Sequence, residues 1–405
     1  MQLTPEEQAM LDGKSGKAIQ KAMQILVALG TIYEAERLIP ITSVQVAGVS
    51  YDNLGEAGLQ FLEELLAGGA CTQVLTTLNP AGMDIENWRS LGIDEEFARN
   101  QMKVIDIFKR IGIIPTCTCT PYYCGNLPQF GQHIAWAESS AVCYANSVIG
   151  ARTNREGGPG ALAAALTGRT PNYGFHLSEN RKPGLTVNVE ADTPQTVVIN
   201  TQWFGALGKA IGKKLESISD NPVPFIRGIS HATGEAMKSF CASLATYGGS
   251  ALFYMEGITP EASQFNSPQE SITISAKDIE SAIASLNNAE SSKIDFVSLG
   301  CPHLSITEIA RITQLLNGKR VKKEFWITTS RPVKQLADLA GFSQIIESSG
   351  AKIAADTCCV VAPIKGRFHG MATDSAKACY YAQGKHHFRT VFKPFDDVIL
   401  EALQD

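Results

Sequence analysis

Three groups of cysteines in this chain follow short apolar runs of β-strand character. The groups are Cys117 with Cys119 and Cys124, Cys301 alone, and Cys358 with Cys359, and the runs before them span residues 111–114, 296–299 and 353–355. Each group stands where a strand is expected to end, and ligand chemistry in α/β proteins collects at the carboxyl ends of strands. Three thiolates converging there would hold an iron–sulfur cluster and leave one iron without a protein ligand. Such an iron is a Lewis acid, which points to a dehydratase.

The spacing does not decide which cysteine of each group would be a ligand, or whether these are ordinary buried or surface thiols. Cys301 stands apart because Gly300 and Pro302 fix an unusual turn around it, with His303 close by. A thiolate paired with the imidazole of His303 or His231 would instead form a nucleophilic site. A metal-free scaffold or binding subunit is a third possibility.

Two polar segments after the first cysteine group carry further candidates. Glu138 and Ser139 follow Trp136, and an acidic residue is an unusual choice for the buried face of a helix. Arg152 and Arg155 lie in a glycine-bearing stretch. Guanidinium groups bind carboxylate or phosphate through paired hydrogen bonds, and glycines let backbone N–H groups approach an anion. A solvated loop is the alternative interpretation of this stretch.

Other candidates stand at the ends of predicted strands or near the C-terminus. The segments Gly48-Val49-Ser50 and Asn79-Pro80 each end a predicted strand, so their backbones are candidates for contact with a substrate. Lys377 borders the polar, glycine-containing segment 366–376, and its ammonium group could bind an anion. Surface lysines are common, so this signal is weak by itself.

The elements that must position these residues are a series of strands and helices. A helix capped by Thr4, with Pro5 in its first turn and Glu7 completing a capping box, begins the chain. Strands are predicted at 41–47, 73–77, 113–119, 186–189, 196–200, 296–299, 324–328 and 352–355, and helices at 18–33, 55–66, 95–111, 234–247, 276–287, 305–316, 333–340 and 343–349. This alternation predicts an α/β protein of several lobes with largely parallel sheets flanked by helices.

Turn-forming residues cluster at 219–224, and a lobe boundary is predicted there. The N-terminal lobe would span residues 1–220 and carry the first cysteine group. The C-terminal α/β part would span residues 221–405 and carry the other two groups.

Composition excludes several classes of protein. A net charge of −5 over 405 residues provides no polybasic surface for nucleic acid or anionic membrane. No apolar run approaches the ~20 residues of a membrane-spanning helix, and the first residues lack the pattern of a signal peptide. Ten cysteines in such a chain do not predict a disulfide framework. These features predict a cytoplasmic enzyme with no nucleic-acid or membrane partner.

Eight ordered segments of the chain resemble the large, catalytic subunit of the aconitase X family. They span residues 48–51, 76–80, 119–122, 131–140, 150–159, 300–303, 356–358 and 374–377. The resemblance covers nearly the whole chain and implies a multi-lobed, aconitase-like architecture. It also implies a 4Fe–4S cluster with one open iron, held by Cys119, Cys301 and Cys358.

The resemblance further implies which side chains and loops bind and convert the substrate. Glu138, Ser139 and Lys377 would be the catalytic residues. The substrate-binding residues would be Gly48, Val49, Ser50, Asn79 and Pro80, with Arg152 and Arg155 as additions.

The family contains two chemistries, and both are dehydrations. One converts (R)-mevalonate 5-phosphate to trans-anhydromevalonate 5-phosphate, a step of isoprenoid precursor synthesis by a modified mevalonate pathway. The other acts on cis-3-hydroxy-L-proline, often in a single fused chain. The length of this chain matches the large subunit alone, which favours the phosphomevalonate activity and a heterodimer with a small swivelling-domain subunit. In the wider superfamily a serine of the swivelling domain removes the proton.

Overall fold

The computed structural model describes residues 1–192, 200–218 and 222–404, in which mostly parallel sheets are flanked by helices. The helices are α1 (Pro5–Leu11), α2 (Lys17–Ile32), α3 (Tyr51–Ala67), α4 (Glu95–Arg110), α5 (Ser139–Tyr144), α6 (Gly158–Thr167), α7 (Thr201–Leu215), α8 (Gly234–Gly248), α9 (Ala276–Ala284), α10 (Ile306–Leu316), α11 (Arg331–Leu339), α12 (Phe342–Ser348), α13 (Ala376–Tyr381) and α14 (Phe395–Glu401). The strands are β1 (Leu38–Pro40), β2 (Ser43–Val46), β3 (Leu75–Leu78), β4 (Ala135–Trp136), β5 (Arg169–Pro171), β6 (Leu185–Glu190), β7 (Pro224–Arg227), β8 (Tyr254–Met255), β9 (Ser271–Ser275), β10 (Phe296–Leu304), β11 (Glu324–Thr329), β12 (Lys352–Ala355), β13 (Gly370–Thr373) and β14 (Arg389–Phe392). This architecture confirms the predicted α/β class.

A three-stranded parallel sheet has the strand order β3-β2-β4. Ile114 adds one parallel bridge to Thr77 on the outer side of β3. The sheet shares a buried apolar core with α2, α3, α4 and α6. Its strands end at Val46, Leu78 and Trp136, so the loops that carry the predicted substrate contacts leave the same edge of the sheet.

A five-stranded parallel sheet has the order β12-β11-β10-β13-β14 and its own apolar core. The chain runs outward from β10 to β12 and then returns to the other side of β10 for β13 and β14. The strand order therefore reverses between β10 and β13, and ligands of open α/β sheets bind at this point, outside the carboxyl ends of the strands. Cys301 lies on β10 and Lys377 follows β13 by four residues, so both belong to this crevice.

A four-stranded parallel sheet, β8-β7-β6-β9, packs with α7 and α8 around a third apolar core. Strands β1 and β5 form a small antiparallel pair. Within the described ranges, no helix is long and apolar enough to cross a bilayer.

The local sequence pattern predicts the first helix correctly, but it predicts the wrong structure around the first cysteine group. Thr4 caps α1 in a capping box with Glu7, as predicted. The predicted strand at 113–119 is wrong, since only Ile114 makes a bridge. Pro115 has no N–H to donate, and Cys117 has a φ of 43°, so the segment leaves the sheet. The predicted strand at 196–200 falls almost entirely outside the described residues, as do residues 220 and 221 of the predicted boundary, so the division into two lobes stays a prediction.

Helices α7 and α8 approach closely at Gly212, and a methyl group there should destabilise the fold. A Cβ at Gly212 would lie 2.8 Å from the backbone nitrogen of Gly248, which cannot move aside as a flexible side chain could. Overpacking of this kind costs about 1–3 kcal/mol, more than the roughly 1 kcal/mol that alanine gains over glycine in a helix. We therefore expect Gly212→Ala to lower the midpoint of thermal unfolding.

The matched control is Gly384→Ala, because no atom lies within 4 Å of the Cβ that it would add. An unfolding midpoint for Gly212→Ala equal to that of the control would show that the two helices can separate at no cost.

A candidate active site between two sheets

The carboxyl edges of the three-stranded and five-stranded sheets face each other. Ala81, after β3, donates its N–H to the carbonyl of Asp356, after β12, at 2.8 Å. Ser50, after β2, donates its hydroxyl to the carbonyl of Val361 at 3.1 Å. The loops from the two edges are therefore joined, and the predicted site residues lie in these loops.

The three predicted thiol ligands come together here from three separate segments, namely the loop after Ile114, the irregular part of β10 and the turn after β12. Cys119 and Cys358 are buried, at 8% and 6% exposure, and Cys301 is partly exposed. Burial raises the pKa of Cys119 and of Cys301 to about 12 and also raises that of Cys358. A smaller rise comes from the thiols themselves, since Cys301 acts on Cys119, Cys358 on Cys301, and Cys119 on Cys358. The thiols are thus close enough to feel one another's charge.

A bulge in β10 places Cys301. Between Leu299 and Leu304 this strand advances five residues while its neighbour β11 advances two, from Ile327 to Thr329. Gly300 begins the bulge with a φ of 110°, and a Cβ there would collide with the backbone carbonyl of Thr328. Glycine is therefore required, and the bulge turns Cys301 out of the sheet toward the opposing loops.

The remaining cysteines of the three groups occupy different surroundings. Cys359 is buried beside Ser298 and interacts electrostatically with Cys301. Cys117 is buried close to Asp356, and Cys124 is half-buried near Ser330. They line the same region, so a sequence pattern alone could not separate them from the three predicted ligands.

The donor set fits a polynuclear group better than a single metal ion. No group of three His, Cys, Asp or Glu side chains in the described part of the chain is arranged to hold one ion. Three thiols from three loops match the cysteine ligation of iron–sulfur clusters, which are larger than one ion and so are held by cysteines that stand farther apart. Cys119, Cys301 and Cys358 could hold such a group.

Glu138 and Lys377 form a buried ion pair beside these thiols. The Lys377 ammonium donates to Glu138 Oε1 at 2.6 Å and lies 3.5 Å from the hydroxyl of Ser139. Glu138 also accepts from the hydroxyl of Ser140 at 2.6 Å and weakly from the amide of Asn79 at 3.4 Å. The pair joins the end of β4 to the end of β13, so it connects the two sheets across the site.

Both members of this pair are charged at neutral pH. Burial would raise the pKa of Glu138, but the Lys377 ammonium and the bonds from Ser140 outweigh it and lower that pKa. Burial would lower the pKa of Lys377, but the negative charge of the adjacent Glu138 is the main influence that outweighs it and raises that pKa. Lys377 therefore presents a fixed positive charge to the pocket, and Glu138 is no proton donor.

Gln101 of α4 joins the two predicted substrate loops. Its side-chain oxygen accepts from the N–H of Tyr51 at 2.9 Å and of Gly82 at 3.0 Å, and its nitrogen donates to the carbonyl of Val49 at 3.0 Å. Gln101 has no exposed surface. The loop 48–51 and the loop 79–82 are therefore held in one arrangement, with the segment Gly48-Val49-Ser50 beside Asn79-Pro80.

A second buried network holds the turn before Cys358. Arg331 donates to Asp84 at 2.8 Å and also bonds Asp356. Asp84, fully buried, accepts in addition from the N–H of Ala355 at 2.8 Å. Loop 79–87 of one sheet and the turn after β12 of the other are thereby fixed together.

The geometry argues against a nucleophilic cysteine. The two ring nitrogens of His303 lie 3.0 Å from the hydroxyl of Thr118 and 2.9 Å from the carbonyl of Thr357, so neither is free to act as a base for Cys301. His231 is exposed and pairs with Ser230. With a pKa of about 12, the Cys301 thiol is also protonated at neutral pH.

The two predicted arginines are not part of this cluster. Arg152 donates to the hydroxyl of Ser178 at 2.8 Å and to the carbonyl of His176 at 3.4 Å. Arg155 is exposed, and its backbone bridges Trp136 near the end of β4. Their predicted role in substrate binding stays a prediction.

Several residues of the site escaped sequence reasoning. Gln101 lies on the apolar face of α4. A polar residue at a position where the helix pattern expects an apolar one could have marked Gln101 as a candidate. Asp84 and Arg331 carried no such signal, because their pairing depends on loops almost 250 residues apart. Ser375, which hydrogen-bonds Cys301 and caps α13, lies in the segment 374–377 but was given no role of its own.

Comparisons with known proteins agree over the full length of the chain. The aconitase X first, second and third domain models match residues 1–179, 183–284 and 294–404. The phosphomevalonate dehydratase large subunit of Thermococcus kodakarensis is 47% identical over 94% of this chain and 95% of the relative. The crystal structure of Thermococcus kodakaraensis aconitase X in its holo-form superposes with a TM-score of 0.91 at 45% identity, covering 99% of this chain and 100% of the other. The cis-3-hydroxy-L-proline dehydratase of Hypocrea jecorina is 33% identical over 95% of this chain but only 65% of the relative.

Proposed function

The chain belongs to the aconitase X family, and from that premise we propose that it is the catalytic large subunit of a hydro-lyase that dehydrates (R)-mevalonate 5-phosphate to trans-anhydromevalonate 5-phosphate. The observation that carries this choice is the share of each relative's length that aligns with this chain. The chain and the large subunit from Thermococcus kodakarensis match end to end, whereas about a third of the hydroxyproline enzyme has no counterpart here. The reaction would serve isoprenoid precursor synthesis.

We further propose that Cys119, Cys301 and Cys358 hold an iron–sulfur cluster, of the 4Fe–4S type with one open iron. The burial of Cys119 and Cys358, the mutual electrostatic influence of the three thiols and their origin in three separate segments support this assignment. When bound, such a cluster supplies a Lewis acid for the substrate hydroxyl, since hydroxide is a poor leaving group.

The residues of the chain would bind the substrate and stabilise charge during the elimination. A proton leaves the carbon next to the carboxylate, and negative charge grows on that carboxylate. Lys377 presents a fixed ammonium group for this charge, and such stabilisation is usually a large catalytic contribution. Glu138 orients Lys377 and the amide of Asn79, and Ser139 offers a hydroxyl within reach of the same ammonium. Loops 48–50 and 79–80 would supply backbone contacts that exclude water.

The partner in this proposal is a small swivelling-domain subunit. The name of the relative, a large subunit, supports a two-subunit enzyme. Glu138 is held by Lys377 and is no free base, which agrees with a base located on the partner. A large subunit purified alone would then bind the cluster and remain inactive. A cytoplasmic location and the absence of nucleic-acid and membrane partners also remain predictions.

One observation favours cis-3-hydroxy-L-proline as the second candidate. A phosphate ester adds roughly two negative charges at neutral pH, which must meet cations or N–H donors. Glu138 neutralises Lys377, and the guanidinium of Arg152 is engaged with Ser178. The smaller hydroxyproline would need no phosphate site.

The test uses both subunits, co-expressed and purified without oxygen, with each substrate in turn. We expect loss of water from (R)-mevalonate 5-phosphate, visible by NMR as a new vinyl proton. Cis-3-hydroxy-L-proline should remain unchanged under the same conditions.

The large subunit alone is the control, and it should be inactive with both compounds. Turnover of hydroxyproline with no reaction of the phosphate ester would reject the proposed substrate while leaving the family and the fold in place.

A further inference from the structure

We propose that His303 is a positioning residue that fixes the three cysteine loops relative to one another. The inference rests on the proposed function, because it treats Cys119, Cys301 and Cys358 as one ligand set. His303 lies two residues after Cys301 and makes two hydrogen bonds to the loop of Cys119 and one to the loop of Cys358. In this role it holds together loops whose thiols come from distant parts of the chain.

The backbone of His303 reaches the first thiol directly. Its N–H donates to the sulfur of Cys119 at 3.2 Å. This bond exists because the bulge after Leu299 turns the backbone at residues 300–303 away from the neighbouring strand. An N–H aimed at a sulfur also stabilises its thiolate, and hydrogen bonds to the sulfurs help to set the reduction potential of iron–sulfur clusters.

The imidazole ring joins the other two loops. Nε2 lies 2.9 Å from the carbonyl of Thr357, the residue before Cys358, and Nδ1 lies 3.0 Å from the hydroxyl of Thr118, the residue before Cys119. A carbonyl can only accept, so Nε2 carries the hydrogen. Nδ1 of the neutral ring therefore accepts from Thr118. The ring thus connects the residues that immediately precede two of the ligands.

His303 is itself held in place by a buried ion pair. Its carbonyl accepts from the ammonium of Lys238 at 2.9 Å, and Lys238 pairs with Glu308 at 2.6 Å. Glu308 in turn accepts from the N–H of Ser305 at 2.8 Å in the capping box of α10. His303 has no exposed surface. These hydrogen bonds therefore hold His303 in a fixed position between the loops.

Three substitutions of His303 distinguish the contributions of the two hydrogen bonds that its ring makes. His303→Gln can still donate to Thr357, and His303→Asn can still accept from Thr118, because each amide reaches the place of one ring nitrogen. His303→Leu loses both bonds: it removes the ring donor from the carbonyl of Thr357, while the hydroxyl of Thr118 keeps only its contacts with Thr120. The backbone bond to Cys119 is available in all three variants.

The first readout is the alkylation rate of each cysteine in the metal-free protein, measured by mass spectrometry. Buried thiols react through local opening, so the rate reports how firmly each loop is held. We expect His303→Leu to speed labelling of Cys119 and Cys358 by about tenfold or more, as the loss of buried hydrogen bonds implies. His303→Gln should accelerate Cys119 more than Cys358, and His303→Asn should show the opposite bias.

The second readout is the visible spectrum and reduction potential of the anaerobically reconstituted cluster in the same variants. Both should change most in His303→Leu and least in the two amide variants. These signals are independent of turnover, so they do not require the small subunit or a known substrate.

Two controls distinguish positioning from general destabilisation. His176→Leu removes another buried ring, 3% exposed, which bonds His133 instead of a cysteine loop. Cys241, buried in the core of the four-stranded sheet, reports opening of the fold at large. His176→Leu should leave the rates at Cys119 and Cys358 unchanged relative to Cys241.

The outcomes test the positioning role of His303 separately from the proposed function. Wild-type rates and spectrum in His303→Leu would overturn it, as would a rise at Cys119 and Cys358 no larger than the rise at Cys241. If wild-type protein takes up no cluster, the proposed function fails, and the alkylation rates of the metal-free variants still decide whether His303 holds the loops.

Discussion

Replacing any one of Cys119, Cys301 and Cys358 with serine is expected to abolish the visible absorption and the dehydratase activity of the anaerobically purified two-subunit protein. Each thiol comes from a different segment of the chain, so the loss of one removes the only predicted ligand from that segment. A serine hydroxyl is a harder, much less acidic ligand than a thiol and does not match the cysteine ligation of iron–sulfur clusters. Absorption spectroscopy and iron content per chain measure the outcome.

The neighbouring and distant cysteines are the controls. Cys71 is exposed and Cys241 is buried in another core, so serine at either position should leave the iron content unchanged. Cys359 is the stringent comparison, because it adjoins Cys358 and interacts with Cys301. A normal cluster in a Cys358→Ser variant, with loss in Cys359→Ser, would transfer the ligand assignment to Cys359.

The main elements of the fold were predictable because their sequence patterns are local. The strand at 352–355 and the helix at 305–316 agree with β12 and α10 to within a residue. β13 was missed, since Gly370-Met371-Ala372-Thr373 is short and lies in a polar stretch that looks like a loop. Only its burial between β10 and β14 makes it a strand, and burial there is a property of the assembled sheet.

The candidate site was predictable to the extent that its residues end strands. Cys301 follows a recognisable apolar run, so its place near the edge of a sheet was predictable. The short strand β4 before Glu138 was not predicted, and it belongs to a different sheet. The contact of Glu138 with Lys377 was not predictable either, because 239 residues separate them and β13 had to be placed first. Arg152 is a different case, and its predicted role in substrate binding stays a prediction. Its type and its glycine-rich surroundings suited an anion site, yet its guanidinium bonds Ser178.

Removing the ammonium of Lys377 is the second change from which we expect a large effect. Lys377→Met should lower kcat by about 10²–10³-fold, the loss typical of a group that stabilises charge in the transition state. The same change leaves Glu138 buried at 9% exposure without its cationic partner, and breaking a buried ion pair costs about 3–5 kcal/mol. The pKa of Glu138 should then rise, since burial remains while the opposing charge is gone. A lower thermal midpoint is expected together with the lower rate.

A double variant separates the loss of stability from the loss of catalysis. Lys377→Met with Glu138→Gln removes both charges, so it should regain much of the thermal midpoint and none of the rate. Lys323→Met provides a control away from the site, because Lys323 pairs with the buried Glu401 at 2.6 Å, although Glu401 keeps a second ion pair with Lys393. That control should lose stability and keep its kcat per folded enzyme. If the double variant instead recovers the rate, Lys377 serves only to neutralise Glu138, and the charge that stabilises the substrate carboxylate must come from another group.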